Sequence, residues 1–519
     1  MTQRPHNLGL AFADIARQHA GRIALRLEGE PAMRYGELDA QSNRLANHLA
    51  SQGVGLRDVV ALVHDKSASG YVAMLACLKL GAVVVNLDDT NPAERLGRIL
   101  DTAQPRRLLS ATEPPADARN AAAQRGIAIE QLEGDGASAW MQACSDAPAA
   151  MPAVTGTDPA YLMYTSGSTG TPKGAVIAHG AVLRFAEWIA DRFDVTPNDV
   201  FSGLNPAYFD NSVFDFYGAL FNGASLAPVK RATARDAQAM LRRLDEAGCT
   251  LWFSVPSMLI FVNTMKALSA HSLPALRAFV FGGEGFPKPE LRKLFERHGH
   301  RAAFVNVYGP TECTCICSAH TVTLDDLNDA TGLAPLGRLN PDFSGLVLDE
   351  QLQPVPEGEA GELWLGGPNV GLGYCNDPER TAASFAQHPG HQRYPERLYR
   401  TGDLVRLNAQ GLYEFVGRRD HQIKHMGYRI ELEEIEAALC ALPGVAQAGV
   451  IYRRVREQFG QIEAFVAAHD ETCEIDEAGL RDALRAVLPD YMVPRRVVVM
   501  PALPKNANGK VDRPALMHL

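Results

Sequence analysis

Short apolar runs alternate with longer stretches of helical period along most of this 519-residue chain. VVALVHD, from Val59, reads as a buried strand. SGYVAMLACLKLG, from Ser69, reads as a helix, and AVVVNL, from Ala82, as the next strand. LWFSVPS from Leu251, a helical stretch, and LRAFVFGGE from Leu276 repeat the pattern. Such alternation predicts a layered α/β architecture. From about Asp342 the period shortens to two. GLVLDEQLQPVPEGEAGELWLGG and LVRLNAQGLYEFVG carry strands broken by the hairpin-like turns DEQLQPVPEG and LNAQG, which predicts a β-rich subdomain. After GRRD, residues 417–420, the texture changes again. ELEEIEAALCAL is an amphipathic helix, AQAGVIYRR and IEAFVAAH are strand-like, and EAGLRDALRAVLP is a helix stopped by Pro489. The predicted fold class is α/β. A large N-terminal domain, residues 1–419, is built of layered α/β subdomains plus the β-rich subdomain. A small α+β domain, residues 420–519, follows. The Ala-rich segment from Ala111 to Ala150 reads as surface helix and loop.

Size and composition narrow this picture. A chain of 519 residues exceeds what one core organises, so two or more domains are expected. The 46% apolar and 21% charged residues are ordinary for a globular protein. A net charge of −10 argues against nucleic acid as a partner. The amino-terminal stretch has no apolar signal core, and no run approaches the roughly 18 to 20 apolar residues of a membrane helix. No membrane partner and a cytoplasmic location are therefore expected. Nine cysteines, an odd number scattered over a long chain, do not form a secreted disulfide framework.

The segment richest in chemistry is LMYTSGSTGTPKGAVIAHG, Leu162 to Gly180. Hydroxyl residues and glycines run unbroken from Thr165 to Gly170, and Lys173 follows. Glycines let the backbone approach a ligand, and successive N–H groups and hydroxyls wrap an anion. A polyphosphate needs this set, although a Gly/Ser run alone is also what a flexible polar loop looks like. It is not a Walker loop, because no Gly-Lys-Ser/Thr stands at that spacing.

The full string TSGSTGTPKG resembles the phosphate loop of the adenylate-forming superfamily: acyl-CoA ligases, luciferases and the adenylation domains of nonribosomal peptide synthetases. Further motifs recur in the family's order. They are MRYGEL at Met33, LKLGAVVVNLD at Leu78, YGPTE at Tyr308, GELWLGG at Gly361, YRTGDL at Tyr399, GRRDHQIKHMGYRIELEEIE at Gly417 and NGKVDR at Asn508. The resemblance covers nearly the whole chain, and GYRIELEEIE with NGKVDR points to amino-acid adenylation domains.

That resemblance implies ATP and Mg²⁺ as cofactors. A carboxylate oxygen attacks the α-phosphate, pyrophosphate leaves, and a thiol then displaces AMP to give a thioester. Such chemistry depends on placed charge more than on acids and bases. The resemblance assigns Thr165, Ser166, Gly167, Ser168, Thr169, Gly170 and Lys173 to the β- and γ-phosphates. Tyr308, beside Gly309, should stack on adenine, and Asn306 should meet its amino edge. Thr311 falls to the α-phosphate and Glu312 to Mg²⁺. Asp403 falls to the ribose, with Arg418 near it. Lys510 becomes the catalytic lysine and Asp420 the hinge, so that the small domain closes for adenylation and turns for thioester formation. GYRIELEEIE should face the site in the second state.

For the acid, Asp210 in FDNSVFDFYGAL aligns with the aspartate that pairs with a substrate α-ammonium. A buried carboxylate without a cation is costly, so it implies a cationic ligand group. Asn211, Phe214, Ser254, Val280, Gly282 and Gly283 should line the same pocket, with Val307, Cys315 and Ile316. Phe214 would shorten it and Gly282 would make room on one wall. A small amino acid such as alanine, glycine or serine is expected, of unassigned chirality. Gly282 departs from the cysteine of the D-alanine ligases. The chain ends soon after NGKVDR, which reads as a free-standing enzyme whose partner is a separate holo acyl or peptidyl carrier protein. Arg453, Arg454, Arg456, Arg495 and Arg496 are candidates for its docking. Two alternatives stand beside this: a coenzyme A ligase for a non-amino acid, which Asp210 opposes, and a non-catalytic homologue, which the intact motifs oppose.

One stretch, YGPTECTCICSAH, invites a metal or redox reading through Cys313, Cys315, Cys317 and His320. In an extended strand, Cys313 and Cys317 would stand about 13 Å apart. A zinc–sulfur bond is about 2.3 Å, so one ion could not reach all three thiolates without a sharp bend. No C-x-x-C pair supports a redox role. Cys315 and Ile316 are expected as pocket wall, with Glu312 the one metal ligand.

Overall fold

The computed structural model describes residues 5–134, 141, 143–149, 153–167, 170–329, 331–456, 459–468, 476–505 and 511–519. The predicted Ser168, Thr169 and Lys510 lie outside the described residues, as does the side chain of Arg456.

Two large sheets pack through a shared core. The first has seven strands, in the order Gly373–Tyr374, Lys173–Ala178, Pro159–Thr165, Val83–Asn86, Val59–Val63, Arg107–Ser110 and Ala128–Gln131. Its centre is parallel, as short apolar strands joined by helices require. The second has nine strands, with Leu251–Ser254, Ala278–Gly282 and Ala303–Tyr308 running parallel at its heart and Ser318–Thr321 antiparallel beside them. Side chains of period two divide each sheet between two cores. Val60 and Leu62 join the core between the sheets, and Ala61 and Val63 the core beneath helices Ala93–Ala103 and Ala116–Ala123. Phe253 and Val280 point inward likewise, whereas Trp252, Phe279 and Phe281 pack under helices Ala237–Glu246, Pro256–Thr264 and Lys288–His298. Helix Ala68–Leu80 is sandwiched in the central core, which is why it is apolar nearly all round, the buried Lys79 being held by Asp39, Ser42 and Asn43.

The β-rich region is a five-stranded sheet around Gly361–Gly366 and Arg397–Leu407, with its hairpin turn at Asn408–Gly411. A smaller C-terminal domain has its own core, from Ile430 to Val497. It holds the hairpin Gln422–His425/Tyr428–Glu431, helix Leu432–Cys440 and a three-stranded sheet. The layered α/β expectation holds. One local expectation fails: within the Ala-rich segment, Ala128–Gln131 forms an edge strand of the seven-stranded sheet. It is largely solvent-facing, so its sequence carries no apolar run that would mark a strand. Among the described residues no helix is long and apolar enough to cross a membrane.

Candidate active site

The TSGSTGTPKG loop is the tip of an antiparallel hairpin, since Thr165 pairs with Lys173 across strands Pro159–Thr165 and Lys173–Ala178. Lys173 is buried, with Nζ 3.6 Å from Glu312 and 3.7 Å from Glu431, above the Tyr374 ring. Burial lowers its pKa to about 8.

A cavity of about 1240 Å³ opens between the large domain and the C-terminal domain, lined by residues of both, whereas Thr165 and Ser166 of the loop border a second, smaller cavity. Asn306, Tyr308, Gly309, Asp403 and Arg418 line it, as the resemblance expects of a nucleotide site. They form a linked network. The Tyr308 hydroxyl donates to Asp403 at 2.5 Å, Arg418 donates to the other Asp403 oxygen at 2.6 Å, and Arg418 also grips Asp420 at 2.6 Å. The candidate ribose carboxylate is thereby tied to the candidate hinge. A carboxylate has about four acceptor positions, so Asp403 retains capacity for hydroxyls. The Asn306 amide N–H is committed to the Pro335 carbonyl at 2.8 Å.

A second cavity, about 60 Å³, shares Gly283, Val307, Gly309, Lys424 and Arg429 with the first. Asp210, Asn211, Cys315 and Ile316 line it. Asp210 is the N-cap of helix Asn211–Leu220, yet its carboxylate caps no amide. It accepts instead from the Thr311 hydroxyl at 2.5 Å, so Thr311 faces the small cavity in this arrangement. Burial raises the Asp210 pKa, and the Thr311 hydrogen bond opposes that shift.

Several predicted wall residues stand elsewhere. Ser254 is turned away, with its hydroxyl accepting from the Trp252 indole at 2.7 Å. Phe253 takes the wall position, because neighbouring residues of a strand face opposite sides. Phe214 sits one layer behind Phe253, ring centroids 4.8 Å apart. Val280 is enclosed in the central core. Gly282 makes no room: a Cβ there would meet the Val307 carbonyl at 2.4 Å and its side chain at 2.8 Å, so Val307 already fills the space. Sequence reasoning missed Phe209, Phe253 and Tyr428 on these walls. Tyr428 belongs to the C-terminal hairpin and closes edge-on against Phe209, 4.8 Å away.

The segment Gly427–Glu434 lies in the site rather than beside it. Gly427, at φ 81°, packs so close to Val255 that a Cβ would stand 2.6 Å from its methyl, and its N–H donates to Glu284 at 3.0 Å. Arg429 donates to both oxygens of Glu312, at 2.8 and 3.2 Å. Tyr374 donates to Glu312 at 2.7 Å. Burial alone would raise the Glu312 pKa, but Arg429 and Lys173 outweigh it and hold the carboxyl well below its usual range. Glu434 is paired with buried Arg95 and accepts from the Gly167 N–H at 3.1 Å. The Ser166 hydroxyl donates to the Arg429 carbonyl at 2.7 Å. A divalent ion does not fit at Glu312 while Arg429 holds both of its oxygens.

The cysteine stretch is not extended. Thr311–Cys313 forms a 3₁₀ turn, and Thr314 and Cys315 take φ of 54° and 73°. The separation argued from strand geometry therefore does not apply. The thiols part by direction instead. Cys313 and Cys317 enter the core of the β-rich region, while Cys315 joins the small cavity. Burial raises the pKa of all three. Among the described residues no cluster of three or more His, Cys, Asp or Glu could hold a metal ion. Of the candidate docking arginines, Arg454 and Arg495 line the large cavity, and Arg453 is tied to Glu463 at 2.8 Å.

Two α/β layers, a smaller C-terminal domain and a large cavity joined to a small one accord with the adenylate-forming fold class. The chain belongs to the AMP-binding enzyme family: the model of that family matches residues 12–375, and that of the AMP-binding enzyme C-terminal domain matches residues 434–510. Within the family its relatives are nonribosomal peptide synthetase adenylation domains. It is 35% identical over 99% of its length to malpinin synthetase of Mortierella alpina, of which it spans 7%. It is also 35% identical over 96% of its length to L-proline–[L-prolyl-carrier protein] ligase of Streptomyces coelicolor, covering 94% of that protein. Its fold superposes with a TM-score of 0.82, at 28% identity, on holo-PA1221, a nonribosomal peptide synthetase protein containing adenylation and carrier-protein domains. That match covers 99% of this chain and 84% of the other.

Proposed function

We propose that the protein activates a small α-amino acid with ATP and passes it to the phosphopantetheine thiol of a carrier protein. The observation that carries this reading is Asp210, a carboxylate facing a cavity of about 60 Å³ that shares a wall with the nucleotide-sized cavity. An α-ammonium against Asp210 would leave its own carboxylate free to turn toward Gly309, where the two cavities meet. The substrate oxygen attacks the α-phosphorus, and the bond to pyrophosphate breaks. The carrier thiolate then attacks the acyl carbon, and AMP leaves. Asp403 and Arg418 would position the ribose, Tyr308 the base, and Lys173 the outer phosphates. Mg²⁺, which supplies charge neutralisation when bound, would be held by Glu312 with Arg429 withdrawn. Lys510 would serve the first step, and the arrangement with Gly427–Glu434 in the site suits the second. The boundary at Asp420 follows from the same reading, because the β-rich sheet ends at Arg418 and the C-terminal hairpin begins at Gln422. The names of two similar proteins, a prolyl-carrier ligase and an adenylation–carrier protein, support a carrier partner.

The test is ATP–pyrophosphate exchange against all proteinogenic amino acids, both alanine enantiomers, several β-amino acids, and fatty and aryl acids. Exchange with small α-amino acids is expected. Exchange confined to acids without an amine would overturn the substrate class.

A further inference from the structure

Phe253, a wall of the small cavity, sits where its strand runs out of backbone partners on one side. Strand Val200–Phe201 is two residues long and pairs with Leu251. Beyond it, two side chains hold the peptide groups of Phe253. The Ser202 hydroxyl accepts from the Phe253 N–H at 3.1 Å, and the Asn205 amide donates to the Phe253 carbonyl at 3.1 Å. The same Asn205 amide donates to Asp215 at 2.9 Å. Asp215 belongs to helix Asn211–Leu220, whose N-cap is Asp210. Five residues separate the two carboxylates, about 7.5 Å along the helix axis. One side chain therefore joins the helix of Asp210 to the strand end of Phe253. Ser202, Asn205 and Asp215 are buried, and all three stand outside both cavities. Buried Lys66 fixes the approach to Asn205, since its Nζ donates to the carbonyls of Gly203, Leu204 and Val229 at 2.9, 2.7 and 2.8 Å.

We propose that Asn205, with Ser202, is a positioning residue for the acid pocket: it fixes the gap between Asp210 and the Phe253 wall, and so sets the length of side chain that reacts. The inference rests on the reading of the small cavity as an amino-acid pocket. The physical reason is the difference between a hydrogen bond and an apolar contact. Helix and strand also meet through the Phe214 and Phe253 rings, and an apolar contact of that kind can slide. A hydrogen bond has a set length and direction. Burying this polar cluster costs desolvation, and a satisfied cluster returns one fixed arrangement. In a cavity of about 60 Å³, a substrate anchored at Asp210 comes within reach of the Phe253 wall. In so close a fit a small recession of that wall is felt as room for a further carbon. Backbone pairing would hold Phe253 whatever the side chains. Held by side chains instead, its position answers to a single substitution.

The test is ATP–pyrophosphate exchange by the full chain with glycine, alanine, 2-aminobutyrate and norvaline, read as relative kcat/KM. Asn205→Ala should raise the ratio of 2-aminobutyrate to alanine by about tenfold, within the range one methylene commands, with the ATP KM unchanged. Ser202→Ala is a smaller truncation that keeps the Asn205 bridge, and it carries the test if Asn205→Ala does not fold. It should move the ratio the same way by a few-fold. Asp215→Asn separates positioning from folding. It removes a buried charge yet leaves an oxygen for the Asn205 amide. Its denaturant midpoint should fall while the ratio stays within about twofold of wild type. Because Asn205 acts through Phe253, Asn205→Ala should leave the ratio unmoved in a Phe253→Leu background. An unchanged ratio in both Asn205→Ala and Ser202→Ala would overturn the proposal. So would an equal shift in Asp215→Asn, or a shift that persists in the Phe253→Leu background. Absence of exchange with every α-amino acid in wild type would instead strike the amino-acid reading on which the proposal stands, so the two failures are distinguishable.

Discussion

The two cavities meet at shared residues and obey different rules. The large one, about 1240 Å³, is lined from both domains and holds its chemistry in a polar chain running from Tyr308 through Asp403 and Arg418 to Asp420. The small one, about 60 Å³, sets one carboxylate, Asp210, among aromatic rings and the cations Arg95, Lys424 and Arg429. A roomy site binds through a few placed polar groups and tolerates a small shift in a wall. A tight site discriminates by volume, and each methyl group is felt. Selectivity for the acid should therefore be fragile in the small cavity and nearly independent of the large one.

The strongest way to break this contrast is Asp210→Ala. Removing one partner of a desolvated charge pair costs about 2–5 kcal/mol. Amino-acid kcat/KM in the exchange assay should fall by on the order of a hundredfold or more, with the ATP dissociation constant unchanged in equilibrium binding. An equal loss of both would merge the two sites into one functional unit. Next comes Gly282→Ala. Its new Cβ must displace Val307, whose carbonyl lies 2.4 Å from where that carbon would stand and whose side chain lines both cavities. Overpacking of this kind costs about 1–3 kcal/mol, to be read by denaturant unfolding. The amino-acid KM should rise more than the ATP KM. Smaller again is Phe253→Leu, which opens the wall left by Ser254. It should admit longer side chains at about tenfold better relative kcat/KM, within the range one methylene commands. No change in the ranking of substrates would remove Phe253 from the wall.

How much of this was legible in the sequence follows the range of the interactions. The phosphate loop is local: its glycines and hydroxyls run together with Lys173 close behind, and the strands that carry them pair up to Thr165 and Lys173. The sandwich of sheets was legible because buried parallel strands must be short and apolar. The wall of the small cavity was legible in its segments but not in their parity. Ser254 and Phe253 differ by one residue at a strand end, and the choice between them is fixed by Trp252, whose indole N–H captures the Ser254 hydroxyl. The partners of Arg429, Glu431 and Glu434 were hidden for a different reason. The resemblance turns GYRIELEEIE toward the site, but its charges look like those of any solvated face, and only the contacts with Glu312, Lys173 and Gly167 say which group each one meets. Edge strand Ala128–Gln131 was hidden because half-exposed polar residues carry no period.

The finest distinction lies inside CTCIC. Three cysteines stand two apart, a spacing that in a strand would put them on one face. The left-handed Thr314 and Cys315 break that rule and send the middle thiol to the small cavity while its neighbours enter the core of the β-rich region. Alanine at each position separates the two environments. Cys313→Ala and Cys317→Ala should each lower stability by about 1 kcal/mol, from a small void in the β-rich core, and leave the ranking of amino acids unchanged. Cys315→Ala should cost no more stability, because its void opens onto a cavity, yet it should shift exchange toward slightly larger side chains by a few-fold. Denaturant midpoints and an exchange panel on the three variants decide it. If Cys313→Ala or Cys317→Ala alters substrate ranking as Cys315→Ala does, the three thiols act as one wall, and the division between the acid pocket and the β-rich core is wrong.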